Sequence, residues 1–349
     1  MKNSFRVSYV TTLPKEGNAP RVTITGIEPK KYHVSFHEIS PQGLHLLSSG
    51  YCETNQTIIA KVHQWYTPWG IRITDETNKV VFTDTFDLLD ETVFIKMDAY
   101  ALGDSIAWIP YVEEFRKKHR CRVICSTFHN SIFVAAYPHI LFVQPNTVIE
   151  NVYAQYYIGA SNDNNPYYSP IKVNQSSLQM VACKILGLPS VELRPDLRGK
   201  YEHIPKRINE RYVTLSEFGS ASNKQWKASN GWQQVVDYLN SYNLKVVVIS
   251  KEKTTLTGVI DLSGDYSLDE RAIDLMYAEF HLGISSGLSW LAWAMGTHTV
   301  MISDVTPSWH EFQTDITRLN ASNLQEVNYS SDSQTTVEEV LKKLGEMVV

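Results

Sequence analysis

Over the first 90 residues, apolar and polar side chains alternate in short runs that are separated by turn residues. Alternation with a period of two is typical of strands that bury one face. Pro41, Gln42 and Gly43 form one of the separating turns. The pattern therefore predicts a small antiparallel β module, with strands at residues 21–25, 32–36, 57–62, 70–73 and 80–83.

From Thr92 the pattern changes to buried apolar runs that alternate with amphipathic stretches. This alternation is typical of a parallel sheet with helices on both faces. It predicts a helix at residues 105–118 and strands at residues 93–95, 122–124 and 140–143. Residues 153–170 are rich in Tyr, Asn and Pro and interrupt the pattern, so we expect a solvated loop there.

Residues 194–211 combine Pro, Arg and Gly and are expected to form an interdomain linker, after which the alternation restarts. The next predicted strands are 212–215, 245–249, 281–284 and 299–302, and the predicted helices are 231–240, 267–278 and 337–347. We therefore expect an α/β protein in which two Rossmann-like halves follow the β module. The expected domains are residues 1–90, 91–200 and 201–349.

The composition is that of a globular protein, with 43% hydrophobic and 20% charged residues. A net charge of −5 with scattered Lys and Arg residues argues against a nucleic-acid partner. No apolar run has the length of a signal peptide or a membrane span, so a cytoplasmic location is expected.

Four cysteines are too few and too scattered for a disulfide framework. Cys121 and Cys125 could share a metal ion, but they flank an apolar strand and no second pair exists. Buried thiols are the favoured interpretation. We therefore expect no metal site and no cofactor.

The first candidate for chemistry is the loop from Met97 to Ser105, which joins a buried strand to a helix. Sheets of this class place ligand sites at that position. Gly103 would permit a tight turn, and Asp104 would lie in the first turn of the helix with its carboxylate facing a crevice. Asp104 is a candidate general base, and the equally weighted alternative is that it only caps the helix.

The second candidate is the run Ser285-Ser286-Gly287-Leu288-Ser289, which again joins a strand to a helix. Free backbone N–H groups at a helix N-terminus attract anions. The run could therefore hold a diphosphate. The commoner alternative for such a run is an ordinary helix start without a ligand.

The third candidate is the loop from Ser220 to Trp226, which opens at the same edge of the second sheet. From there Lys224 could reach a phosphate held by the second loop. A single lysine is more often a solvated surface residue. Three loops that converge on one crevice are much less expected by chance than each loop alone.

Sequence signatures of two other nucleotide-binding classes are missing. The chain contains neither the phosphate loop G-x-x-x-x-G-K-[ST] nor the dinucleotide fingerprint G-x-G-x-x-G. Nucleoside triphosphatase and dehydrogenase functions are therefore disfavoured.

Two segments resemble a known family: DAYALGDSIAWIPYV at residues 98–112 and GISSGLSWLAW at residues 283–293. They resemble bacterial autotransporter heptosyltransferases, a branch of the ADP-heptose glycosyltransferases that include the lipopolysaccharide heptosyltransferases. The resemblance extends over roughly residues 90–310. It implies a GT-B fold and metal-independent, inverting transfer of heptose from a nucleotide sugar to Ser hydroxyls of a protein.

The resemblance also implies roles for individual residues. Asp104 would be the base, Lys224 would contact the donor phosphates, and the Gly-Leu loop at Ser286, Gly287 and Leu288 would hold the donor, with Ser220, Ser285 and Ser289 beside them. ADP-heptose is the preferred donor, the acceptor would be an autotransporter or adhesin, and a homo-oligomer is compatible with the family. The branch carries a C-terminal four-cysteine iron finger, but this sequence has no cysteine after Trp309, so structural iron is not expected.

Three alternatives remain open at this point. The donor could be another nucleotide sugar, such as a UDP- or GDP-hexose. A nucleotide-sugar epimerase of similar fold would turn over donor without an acceptor. A non-catalytic partner subunit would keep the fold for assembly alone.

Overall fold

The computed structural model describes residues 3–9, 19–60, 65–159, 170–319, 324–330 and 335–348. Residues 61–62 of the predicted strand 57–62 and residues 160–169 of the predicted loop 153–170 lie outside these ranges. In the described part of the chain, no helix is both long enough and apolar enough to cross a membrane.

The N-terminal region forms two antiparallel sheets, with strand orders β1-β2-β5 and β4-β3-β6-β7. Their strands are β1 (Ser4–Ser8), β2 (Arg21–Thr25), β3 (Lys31–Ser40), β4 (Gly43–Glu53), β5 (Thr57–Ile59), β6 (Trp69–Thr74) and β7 (Val80–Thr85). The predicted antiparallel region is confirmed. Strand β4 was not predicted, because Cys52 is its only buried residue and its sequence therefore shows no buried face.

The next region contains a parallel sheet of order β10-β9-β8-β11. Its elements are β8 (Thr92–Met97), α1 (Leu102–His119), β9 (Arg122–Thr127), α2 (Asn130–Phe133), β10 (Ile140–Val143), β11 (Ala154–Tyr157) and α3 (Leu178–Ile185). The prediction of a loop from residue 153 is wrong for β11, which pairs along β8. Only Ala154 and Tyr156 of this strand are buried, too few for a clear periodic signal.

The C-terminal region contains a second parallel sheet of order β14-β13-β12-β15-β16-β17. Its elements are β12 (Tyr212–Ser216), α4 (Gly231–Ser241), β13 (Lys245–Val248), β14 (Ile260–Asp261), α5 (Leu268–Met276), β15 (His281–Ile284), α6 (Gly287–Ala294), β16 (Thr299–Ile302), β17 (Ile316–Leu319) and α7 (Val337–Val348). Residues 194–211 between the two parallel sheets contain only a short 3-10 turn, Arg198–Lys200.

Helix α1 of the first parallel sheet packs directly on helix α6 of the second. Gly103 makes this contact close, because a Cβ at position 103 would lie 2.8 Å from Cδ1 of the buried Trp290. Gly103 is the second residue of α1, and its φ lies outside the left-handed range. The prediction of a tight turn at Gly103 is therefore wrong: the glycine provides space for the indole ring.

We predict that Gly103→Ala lowers the free energy of unfolding by about 1–3 kcal/mol, because the added methyl group overpacks a filled contact. The matched control is Gly199→Ala, since a Cβ at position 199 meets no heavy atom within 4 Å. The control should change stability by no more than about 0.5 kcal/mol. Urea denaturation measures both, and equal stability of the two variants would contradict the packing argument.

Candidate active site

Each of the three candidate loops follows a strand at the point in its sheet where the strand order reverses. In the first parallel sheet, β9 and β10 are added on one side of β8, and β11 then pairs with the other side of β8. In the second sheet, β13 and β14 are added on one side of β12, and β15 then pairs with the other side of β12. Open α/β sheets bind ligands at the carboxyl ends of strands at this switch point. The loops after β8, β12 and β15 therefore occupy the positions where a ligand site is expected.

One cavity brings the three loops together. Its lining includes seven of the nine residues singled out from the sequence: Gly103, Asp104, Ser220, Lys224, Ser285, Ser286 and Gly287. Leu288 lines a neighbouring cavity. Ser289 is fully buried and its hydroxyl donates to the carbonyl of Ile284 at 2.7 Å, so its side chain is not available to a ligand.

Two further glycines allow the loops to touch. A Cβ at Gly287 would lie 2.8 Å from Cβ of Leu102, the first residue of α1. A Cβ at Gly219 would lie 3.3 Å from Cβ of Ser286. Neither glycine has a left-handed φ, so each serves close approach rather than a special backbone conformation.

Asp104 lies in the first turn of α1, as predicted, but it is not the N-cap. Ala101 occupies that position, and no side chain caps the helix. Asp104 is half-buried, and burial raises the pKa of its carboxyl to about 6, although the nearby Lys224 ammonium lowers it. A carboxylate with a pKa close to neutral can accept a proton while it is still mostly ionised.

Lys224 ends the 3-10 turn Ser222–Lys224, and a tryptophan two residues later holds this loop in place. Trp226 is buried, donates from Nε1 to the carbonyl of Thr335 at 2.7 Å, and contacts Trp232 edge-to-face at 4.9 Å. Nζ of Lys224 lies 5.6 Å from the ring centre of Tyr329. The anchored loop thus keeps the ammonium group at the wall of the cavity.

The N-terminus of α6 faces the same cavity. Ser286 is its N-cap residue and forms no side-chain capping hydrogen bond. Its Oγ is buried without a hydrogen-bond partner among the described residues. The first backbone N–H groups of the helix carry partial positive charge, so this end of the helix suits an anion.

A buried acidic group fixes the residue just before this helix. Glu311 accepts hydrogen bonds from Oγ of Ser285 at 2.6 Å and from Oγ1 of Thr306 at 2.8 Å. It also forms a buried ion pair with Arg318, which donates to the carbonyl of Pro307 at 3.1 Å. This network of hydrogen bonds links β17 to the loop that begins α6.

The charge of Glu311 is stabilised despite its burial. Burial alone raises the pKa, but Arg318, His310 and the Ser285 hydrogen bond outweigh it and lower the pKa to about 2. Glu311 is therefore ionised at neutral pH. Its charge is compensated mainly by Arg318, with a smaller contribution from Lys224.

The run Gly283-Ile284-Ser285-Ser286-Gly287 has the G-x-S-x-G spacing of a hydrolase nucleophile elbow. In the structure, however, Ser285 is only 4% exposed and its hydroxyl donates to the Glu311 carboxylate. A catalytic serine needs an exposed hydroxyl beside a base. The structure therefore does not support Ser285 as a nucleophile.

A second cavity, of about 390 Å³, adjoins the first and shares Ser220, Ser286 and Gly287 with it. It extends to the loops after β13 and β14 and is lined there by Lys251, Asp265 and other residues. Three aromatic side chains, Tyr100, Phe218 and Tyr266, also line it. Its size and mixed lining suit an organic group attached to the anion in the first cavity.

Sequence reasoning missed the residues that reach the site or support it from distant segments: Leu178, His310, Glu311 and Arg318. The polar pair His310-Glu311 follows strand β16 on the carboxyl side of the sheet, and that position was an available signal. The sequence around Arg318 contains no such signal, because the contact of Arg318 with Glu311 depends on the pairing of β17 with β16.

No protein-family model matches the chain. Individual relatives do. The autotransporter heptosyltransferase Aah of Escherichia coli is 32% identical over 276 residues, which cover 75% of this chain and 70% of Aah. The autotransporter heptosyltransferase BAHTCr of Citrobacter rodentium is 30% identical over 278 residues, covering 75% of this chain and 67% of the relative. BimC of Burkholderia thailandensis, 28% identical and covering 76% of this chain and 64% of the relative, is named an inactive autotransporter heptosyltransferase.

Solved structures show the same fold. The heptosyltransferase TibC, in complex with ADP-D-β-D-heptose, superposes with a TM-score of 0.82 at 22% identity, covering 98% of this chain and 95% of TibC. The heptosyltransferase WaaC of E. coli with ADP gives a TM-score of 0.55 at 12% identity, covering 73% of this chain and 99% of WaaC.

Two parallel sheets whose switch points face one cavity give this protein a GT-B fold, as the superpositions confirm. The sequence identity with Aah and BAHTCr assigns the chain to a narrower group than the fold does. The chain belongs to the autotransporter heptosyltransferase family, and the resemblance seen in residues 98–112 and 283–293 is confirmed.

TibC is described as iron-containing and dodecameric. In this chain the four cysteines are free and buried, at positions 52, 121, 125 and 183. Within the described ranges, no three His, Cys, Asp or Glu side chains are gathered so that they could hold a metal ion. These residues therefore do not fit a four-cysteine iron site.

We predict that Glu311→Gln lowers the free energy of unfolding by about 3–5 kcal/mol at neutral pH, because it leaves Arg318 buried without its counter-charge. The matched control is Glu346→Gln, which breaks the exposed pair of Lys343 and Glu346 at 2.6 Å. The control should cost no more than about 1 kcal/mol. Denaturation at pH 7 measures both.

The difference between wild type and Glu311→Gln should also depend on pH. The folded-state pKa of Glu311 is lowered from 4.5 to about 2, so its charge stabilises the fold above pH 4.5. That stabilisation is lost as the pH falls towards 2. A difference that stays constant between pH 5 and pH 3 would contradict the ionised, buried state of Glu311.

Proposed function

We propose that this protein transfers heptose from ADP-heptose to a serine hydroxyl of a protein, with inversion at the anomeric carbon and without a metal ion. The observation that carries the proposal is the single cavity into which Asp104, Lys224 and the N-terminus of α6 all project. A base and an anion site that line one cavity are the two groups that such a displacement requires.

In the proposed complex, the diphosphate of the donor lies against Lys224, Ser286 and the free N–H groups of Gly287 and Leu288. The unpartnered Oγ of Ser286 supports this placement, because a phosphate oxygen would satisfy it. The adjoining cavity, with Tyr100 and other aromatic side chains, would take the nucleoside. The ADP-heptose held by TibC, which shares this fold, supports an adenine nucleotide.

The proposed reaction is a direct displacement. The acceptor oxygen attacks the anomeric carbon while the bond from that carbon to the diphosphate oxygen breaks, and the acceptor proton passes to Asp104. The departing diphosphate carries the developing negative charge to Lys224 and the α6 amides. These groups can balance that charge themselves, which supports metal independence.

A protein acceptor is supported by the names of the relatives, which are autotransporter heptosyltransferases. Serine supplies a hydroxyl that a carboxylate base can deprotonate as the bond forms. We also propose that residues 1–90, 91–200 and 201–349 are the domains of the protein and that it assembles as a homo-oligomer, as TibC does.

The proposal is tested by incubating the purified protein with an autotransporter passenger domain and, separately, ADP-heptose, a GDP-hexose and a UDP-hexose. Intact-mass spectrometry should show one or more added heptoses on serine with ADP-heptose, with or without EDTA. If the passenger domain is modified with the GDP-hexose or the UDP-hexose and not with ADP-heptose, the proposed donor is wrong. A donor altered without any acceptor would indicate an epimerase, and no reaction with any donor would indicate a non-catalytic subunit.

We predict that Asp104→Asn lowers the transfer rate by about 10²–10⁴-fold, because an amide cannot accept the acceptor proton. The affinity for ADP should be retained, since Lys224 and the α6 amides are unchanged. Asp237→Asn, the same change at an exposed position of α4, is the control and should transfer at the wild-type rate. Full activity of Asp104→Asn would exclude Asp104 as the base.

A further inference from the structure

Residues 324–330 are attached to the turn that precedes α3 in the first parallel-sheet region. Oε2 of Glu326 accepts hydrogen bonds from the side-chain amides of Asn174, at 3.3 Å, and of Gln175, at 3.4 Å. The backbone N–H of Val327 donates to the carbonyl of Asn174 at 3.1 Å. Side-chain and main-chain hydrogen bonds therefore fix this segment to the first region.

The next two residues bring the segment to the second region and to the candidate active site. The backbone N–H of Asn328 donates at 2.9 Å to the carbonyl of Val305, which follows β16. The ring of Tyr329 then lies over Lys224, with Nζ of the lysine 5.6 Å from the ring centre. This distance is within the range of a cation–π interaction. The segment thus contacts both regions and reaches the lysine that lines the cavity.

The ring of Tyr329 is the contact that orients the ammonium group of Lys224. In the described part of the chain, Nζ of Lys224 forms no hydrogen bond, and no carboxylate oxygen lies within 4 Å of it. Partial burial raises the pKa of the Tyr329 hydroxyl, and the nearby carboxyl groups of Asp104 and Glu311 raise it further, so the phenol is uncharged. An uncharged ring attracts the ammonium group without neutralising it. The positive charge therefore remains available to an anion.

We propose that Tyr329 is a positioning residue that holds the ammonium group of Lys224 towards the donor diphosphate before the sugar nucleotide binds. The inference rests on the proposed function, because it assumes that Lys224 contacts that diphosphate. A lysine side chain is flexible, and ordering it on binding costs affinity. A ring that restricts the side chain beforehand removes part of this cost. Tyr329 thereby strengthens donor binding through Lys224.

Four variants separate the ring, the hydroxyl and the lysine. Tyr329→Phe keeps the aromatic face and removes the hydroxyl, whereas Tyr329→Leu removes the ring and keeps an apolar side chain. Lys224→Met removes the ammonium group, and its combination with Tyr329→Leu tests whether the ring acts through the lysine. The control is Tyr51→Leu, because Tyr51 is an exposed tyrosine of the β module with Nζ of Lys31 4.7 Å from its ring centre.

The experiment is calorimetric titration of each intact variant with ADP. Tyr329→Leu should bind ADP about threefold to tenfold more weakly, the range expected when one long side chain has to be ordered on binding. Tyr329→Phe and Tyr51→Leu should bind ADP nearly as tightly as the wild type does. In a protein that already carries Lys224→Met, the change Tyr329→Leu should cause no further loss.

Unchanged ADP affinity in Tyr329→Leu would overturn the inference. An equal loss in Tyr329→Phe would overturn it as well, because the effect would then belong to the hydroxyl. So would a loss that persists in the Lys224→Met background, because the ring would then act independently of the lysine. If Lys224→Met itself binds ADP as the wild type does, the proposed diphosphate site is wrong and the inference falls with it. A loss in Lys224→Met without one in Tyr329→Leu overturns the inference alone.

Discussion

The site depends on the close contact between the first turns of α1 and α6, which belong to different parallel sheets. Gly103 leaves room for Trp290, and Gly287 leaves room for Leu102. A side chain at either glycine would push the two helix N-termini apart. Since Asp104 lies on one of these turns and the amides of α6 on the other, the same contact sets the distance between the proposed base and the proposed anion site.

The carboxyl groups of Asp104 and Glu311 lie near this contact in different electrostatic environments. Asp104 is partly desolvated, which raises its pKa towards neutrality and makes it a better base than a solvated carboxylate. Glu311 is more deeply buried, yet Arg318 keeps it ionised and its hydrogen bond to Ser285 holds the start of α6. Two carboxyl groups near one cavity therefore differ in role because their partners differ.

The hydrophobic pattern of the sequence predicted those features of the fold that depend on neighbouring residues in the chain. Buried runs such as Val93–Ile95 and the strand-to-helix loops at Asp104 and Ser286 were readable from the sequence, and so was the parallel architecture. Strand β4 was not, because most of its side chains are exposed. The place of Arg318 could not be predicted either, since its ion pair with Glu311 is made only when β17 pairs with β16 in the folded sheet.

The central claim is that the cavity lined by the N-termini of α1 and α6 holds the donor diphosphate and also contains Asp104. A crystal structure of the protein with ADP tests it most directly. We expect the diphosphate oxygens within hydrogen-bonding distance of Nζ of Lys224 and of the N–H groups of Gly287 and Leu288. A diphosphate bound outside this cavity, or inside it without contact to Lys224 and α6, would contradict the account.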